Sequence, residues 1–283
     1  MKYGKHLFLV LVVIFLTAIE SSAQVKLPRA SQMSALTQTI GVTDVTIKNS
    51  RPGVKGREIW GKLVPYDQVW RTGANEATTI SFTDTVNIIG GDNVSHMLPA
   101  GSYGVATIPS KDKWIIIFHK KPDMEGASGY TQDDDALRIT VTPTAGEHQE
   151  WMRFSIEDLK ENSGKVVFAW EKLQVSFTIE TPTHDLVMRS ARKTITNQSS
   201  QQAANYLLGK KTELDQAMTW IDLSISINET YGNLRVKAQL LEATGKKNDA
   251  IKVMEKAITL GAKMADPPFD FEQMKEKLAE WKK

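Results

Sequence analysis

Residues 78–89, TTISFTDTVNII, set apolar Ile80 and Phe82 against polar Thr79 and Ser81, pause at Asp84, and resume at Val86. An alternation of two sends successive side chains to opposite faces, as a half-buried strand requires. The rhythm continues on both sides. Upstream lies VTDVTIKNSR (42–51); downstream lie SYGVATI (102–108), KWIIIFHK (113–120), LRITVTP (137–143), WMRFSIE (151–157), KVVFAWEK (165–172) and LQVSFTIE (173–180). These runs are rich in Val, Ile, Thr and aromatics and are divided by Gly, Pro, Asn or Asp. About eight short strands punctuated by turn signals predict an antiparallel β-sandwich or barrel-like domain over residues 24–182. IIIF (115–118) is continuous rather than alternating, so it is expected to lie deeper. No helical pattern alternates with the strands, which argues against a parallel α/β sheet.

After Pro182 the period changes. From Ser190 to Lys283 helix formers dominate, with apolar residues three and four apart. In NLRVKAQLLEATGKKNDAIKVMEKAITL (233–260), Leu234, Ala238 and Leu241 share one face, Gly245 breaks the run, and Ala250, Met254 and Ala257 share the next. Small residues there let two helices approach closely, and Gly245 permits the reversal. The stretch resembles a tetratricopeptide repeat, although Gly261-Ala262 stands where that repeat usually carries proline. A fainter copy places Ala204 and Leu207 opposite Ala217, Ile221 and Ser224. Ala217 and Ala250 lie 33 apart, near the repeat length of about 34. FEQMKEKLAEWKK (271–283) is expected to cap the stack. A generic helical hairpin bundle is the plainer alternative.

The N-terminus reads MKYGKHLFLVLVVIFLTAIESSAQ, with Lys2 and Lys5 before an apolar core from Leu7 to Ala18 and small residues at Ser21-Ser22-Ala23. This predicts a signal peptide over 1–23 and export to the periplasm, or outside the cell. The core is too short for a bilayer span, which needs about 20 residues, and no later segment is expected to cross a membrane. The chain has no cysteine, which removes thiol catalysis and zinc–thiolate sites. Its net charge is only +2 and no basic stripe occurs, so no nucleic-acid partner is expected.

Four blocks, SRPGVKGREIW (50–60), GKLVPYDQVWRTGANEATTISF (61–82), LPAGSYGVATIP (98–109) and KWIIIFHK (113–120), occur in one order at close spacing. Together they resemble the secreted bacterial family catalogued as domain of unknown function 2911, over roughly Ser31 to Ile179. The resemblance implies recurring residues at Ser50–Pro52, Gly56, Arg57, Pro65, Tyr66, Trp70–Thr78, Pro99–Gly101 and Tyr103, and it brings no activity. At the position of His119 relatives commonly carry asparagine, which argues against an obligatory base there.

VWRTGANEATTISF (69–82) is the densest polar stretch among these blocks. Arg51, Arg57 and Arg71 offer forked donors suited to carboxylate, phosphate or sulfate. Asn75, Glu76 and Thr78 add hydrogen-bonding groups, Trp60, Tyr66 and Trp70 are available as cleft walls for a small polar or carbohydrate-like ligand, and Tyr103 is a further ligand-binding candidate. The structural alternative pairs Glu76 with Arg71 or Arg51, places the tryptophans in the core and uses Gly73 for a positive φ.

The standard catalytic patterns fail. His96, His119, His148 and His184 are far apart, H-E-x-x-H is absent, and GASGY around Ser128 lacks the spacing of a nucleophile elbow. NSGK (162–165) lacks the upstream glycine of a phosphate loop, and DDD (133–135) has no EF-hand loop around it. No metal or cofactor is expected. The expected function is therefore that of an exported binding module. Two alternatives stand beside it: a hydrolase using Glu76 with a second carboxylate, among them Asp133, Asp135 or Glu125, and a scaffold whose helical tail docks a protein partner.

Overall fold

The computed structural model describes residues 27–283 other than 125, 127 and 194. The expected signal peptide lies outside the described residues. Ten strands come first: β1 (Gln32–Ile40), β2 (Thr43–Arg51), β3 (Ala74–Phe82), β4 (Val86–Ile89), β5 (Ser95–Leu98), β6 (Gly101–Ile108), β7 (Trp114–His119), β8 (Asp135–Val141), β9 (Thr144–Glu157) and β10 (Ser163–Glu180). They form a six-stranded sheet in the order β1-β2-β3-β6-β7-β8 and a four-stranded sheet in the order β5-β4-β10-β9. All pairings between neighbours are antiparallel. Six α-helices follow among the described residues: α1 (Thr183–Lys193), α2 (Asn197–Lys210), α3 (Leu214–Ile227), α4 (Tyr231–Ala243), α5 (Lys247–Gly261) and α6 (Phe271–Trp281).

The two sheets bury one shared core. Ile47, Ile80, Phe82, Val105, Ile116 and Phe118 from the larger sheet meet Val86, Ile88, Met152, Val166, Phe168 and Ile179 from the smaller. In β3 the inward residues are Ile80 and Phe82, with Thr79 and Ser81 less buried, so the alternation has its expected physical meaning. One end of this core is aromatic: Trp60 lies 5.1 Å from Trp114 in an edge-on arrangement, and Trp70 stacks on Trp170 at 5.8 Å. IIIF is buried on nearly every residue because the outer face of its sheet is also covered. Ile117, Ala106 and Met124 form a second small core there, joined by Val69, Ala77 and Tyr130.

β10 leads almost directly into α1, whose start at Thr183 lies ahead of the expected Ser190. Pro182 just before the helix and Asp185 in its first turn are the start signals. The seam between the halves is tight. Thr181 Oγ1 pairs with Thr183 Oγ1 at 2.8 Å and also reaches the Ile40 carbonyl. A Cβ on Gly41, at φ +63, would stand 2.0 Å from the Thr183 hydroxyl, so glycine is required on both conformational and steric grounds. Beyond the seam, α2 packs on α3 through Ala204, Leu207, Ala217 and Ile221. Helices α4 and α5 pack through Leu234, Ala238, Ala250, Met254 and Ala257, and α6 covers them with Phe271, Met274, Leu278 and Trp281. Gly245 makes the α4–α5 reversal at φ +77. Among the described residues no helix is long and apolar enough to cross a membrane.

Candidate functional site

The backbone of 69–82 is built by its hydroxyls. Trp70 and Thr107 exchange two backbone hydrogen bonds of 2.8 Å, which fix the segment against β6. Thr72 then turns into the left-handed region at φ +56, and its hydroxyl bonds to that of Thr107 at 3.1 Å. Thr78 Oγ1 donates to the Thr72 carbonyl at 2.6 Å, closing the loop on itself. The left-handed residues are Thr72 and Asn75 rather than Gly73. Gly73 is needed for space instead, since a Cβ would come within 3.0 Å of Thr78 Oγ1 and 3.1 Å of the Ser50 carbonyl.

Asn75, at φ +57, interrupts the β2–β3 ladder: Lys48 pairs with Thr79, but Ser50 pairs with Ala74. The chain between them bulges outward. That bulge presents Arg71, Asn75 and Glu76 to a cleft of about 1140 Å³ over the outer face of β2 and β3. Arg29, Met33, Lys48, Ala77 and Thr79 complete its near side, and Pro122, Asp123, Met124 and Gly126 its far side.

Each polar group in the cleft has a distinct standing. Glu76 forms an ion pair with Arg29 and accepts from Ser50 Oγ at 3.1 Å. The Arg29 hydrogen bond, followed by the backbone N–H of Glu76 itself, holds its carboxyl below the ordinary value. Both partners remain about half exposed, at 55% and 48%, so the pair is screened by solvent. Asn75 Nδ2 donates to the Ser31 carbonyl at 3.0 Å, tying the bulge to the start of β1. Arg71 differs from both. Its Nε is shielded from water, and no acceptor among the described residues takes a proton from it.

The other expected site residues lie elsewhere. Arg51 Nε donates to the Met152 carbonyl at 2.6 Å, stapling β2 to β9. Arg57 closes its own loop on the Gly53 and Val54 carbonyls at 2.6 and 3.1 Å. Trp60 and Trp70 pack against the shared core rather than walling the cleft. Thr78 is buried within the loop. Tyr103 is buried between the sheets, where its hydroxyl donates to the Pro99 carbonyl at 2.8 Å and burial pushes its phenol pKa up. Arg29, Lys48 and Asp123 line the cleft without having been singled out from sequence. For Lys48 a signal existed, because it occupies an outward position of an alternating strand.

A family profile described as "Protein of unknown function (DUF2911)" matches residues 31–179. The chain belongs to that family. The DUF2911 match spans both sheets and ends within β10, so the helices lie beyond it. All of the cleft except Arg29 and Ala30 falls inside the matched span. No curated protein and no solved structure matches the chain significantly. Among the described residues no group of three or more His, Asp or Glu side chains is placed to hold a metal ion. Of the DDD run, Asp134 pairs with Lys121, and Asp135 with Arg138 and the Tyr130 hydroxyl. His119 is wholly buried, and its Nδ1 accepts from the Lys121 backbone N–H at 3.2 Å.

Proposed function

We propose that the protein is an exported binding module that holds a small polar, carbohydrate-like ligand in the cleft over β2 and β3. The observation that carries this reading is the convergence of Arg71, Asn75 and Glu76 with Lys48 on one open cleft, beside the apolar Met33, Ala77 and Met124. Apolar walls with a few directed polar groups suit a ring whose faces are apolar and whose edges carry hydroxyls. The Leu7–Ala18 core and the Ser21-Ser22-Ala23 site support export to the periplasm. The reading is tested by thermal-shift screening of the purified protein with neutral and charged sugars. At least one class should raise the midpoint, and Arg71→Ala should abolish the rise. Null shifts throughout would remove the pocket.

A hydrolase is the second reading, favoured by Asp123 sharing the cleft with Glu76. Glycoside chemistry needs two carboxyls about 5–9.5 Å apart, one of them protonated. Glu76, whose carboxyl Arg29 holds below the ordinary value, fits the base or nucleophile, with Asp123 as the second carboxyl of the pair. Nitrophenyl glycosides should then be cleaved, and both Glu76→Gln and Asp123→Asn should stop cleavage. The helical half, with its alanine-lined hairpins, is proposed as a tetratricopeptide-like platform for a protein partner. Phe269, fully exposed before α6, is its most accessible apolar anchor. A partner captured equally well by Phe269→Asp would exclude that surface.

A further inference from the structure

Among the described residues the charges of the cleft do not cancel. Arg29 and Glu76 neutralise each other. Two cations remain, Arg71 and Lys48, and neither has an ion-pair partner among the described residues; Asp123 is the only other described carboxylate lining the cleft. Arg71 stands out most. A guanidinium cannot shed its proton at any ordinary pH, and a partly buried cation without acceptors is unfavourable unless something compensates it. Arg51 and Arg57 are satisfied differently, since each donates to backbone carbonyls. The loop also passes close above Arg71: a Cβ at Gly126 would lie 3.3 Å from Nη1, at a φ of +61 that favours glycine. Backbone thus confines the guanidinium on one side, while the side chain lines the cleft. On the floor, Lys48 stands beside Thr79 across the β2–β3 ladder, which adds a second positive charge and a hydroxyl.

We propose that the ligand is an acidic sugar, anchored by a carboxylate, sulfate or phosphate group between Arg71 and Lys48. The proposal deepens the polar-pocket reading and rests on it. A guanidinium fork presents two parallel donors to two oxygens of such a group, while the ammonium of Lys48 acts as a point charge. Met33, Pro122 and Met124 are left to contact the apolar face of the ring. A neutral sugar would leave Arg71 without an ion-pair partner among the described residues.

The test is calorimetric titration of the full-length mature protein with glucose, glucuronate, glucose 6-sulfate and glucose 6-phosphate at low and high salt. At low salt at least one acidic sugar should bind at least about tenfold more tightly than glucose, and the advantage should shrink at high salt. Which acid binds best identifies the anionic group. Arg71→Gln should erase the advantage while the near-ultraviolet dichroism stays unchanged. Lys48→Gln, at an exposed strand position, should reduce it roughly threefold. Glu76→Gln should increase it, because Arg29 is then released; a merely structural role for these residues gives no such gain. Equal binding of glucose and all three acids would overturn the anionic anchor and leave the pocket standing. Binding of none would overturn both. An acid preference that survives Arg71→Gln would also overturn the proposal.

Discussion

Arg71 and Arg235 make an instructive pair. Each has a shielded Nε without an acceptor among the described residues. Arg235 nevertheless donates through Nη1 to Asp270 Oδ2 at 2.7 Å, and the Tyr231 hydroxyl donates to Asp270 Oδ1 at 2.9 Å. Asp270 is almost wholly buried and immediately precedes α6, so this network fastens the last helix to α4. Arg71 lines an open cleft, and its side chain has no hydrogen-bond or ion-pair partner among the described residues. In the helical half the Arg235 charge ties two helices together, whereas Arg71 in the sandwich has no such tie among the described residues. The partners of a side chain separate scaffold from site, whereas its residue type does not.

The comparison is broken most directly at Asp270. Asp270→Ala strands Arg235 and Tyr231 and should cost about 3–5 kcal/mol, the usual penalty for breaking a buried pair; Arg71→Gln should change stability by less than about 0.5 kcal/mol. Urea unfolding of both variants checks this, and equal losses would erase the distinction. Next in size, Gly126→Ala forces an L-residue into a left-handed backbone and should cost about 1–2 kcal/mol while weakening binding in the cleft. Tyr231→Phe removes one hydrogen bond, about 1 kcal/mol. It also sharpens the pH behaviour. Burial, then Asp270, raises the Tyr231 phenol pKa in the folded state. Its stabilisation is therefore complete below the unfolded value of about 10 and is lost as pH rises above it. Alkaline melting curves should be flatter for Tyr231→Phe than for the parent. The smallest effect belongs to Glu76, whose pKa is lowered in the fold. Its contribution is present above the ordinary carboxylate range and is lost as pH falls through and below roughly 4. Glu76→Gln should flatten the acid limb only slightly, and the difference should vanish in high salt.

The strands and helical hairpins were legible because each buries one face, and burial writes its period into the sequence. The depth of IIIF was legible too, but its cause was not. Its outer cover comes from Met124 and Val69, in loops whose folding back leaves no periodic trace. The candidate site was half legible. Arg71, Asn75 and Glu76 share one short stretch, and all three line the cleft. Arg29 meets Glu76 across 47 positions, a distance no local spacing encodes. Arg51 and Arg57 had the right chemistry for a ligand, but a backbone carbonyl accepts from a guanidinium as readily as a ligand oxygen does. The early start of α1 was readable in Pro182 and Asp185.

β10 has a mechanical consequence. It runs from Ser163 to Glu180, pairs with β9 along its first part and with β4 near its end, and passes within three residues into α1. Tension applied to the C-terminal helices would travel down an interior strand of the smaller sheet, loading its ladders lengthwise, so that many hydrogen bonds share the pull. A pull on the helical half therefore works against the sandwich core itself, and the connection behaves as a strut where a loose linker would have behaved as a leash.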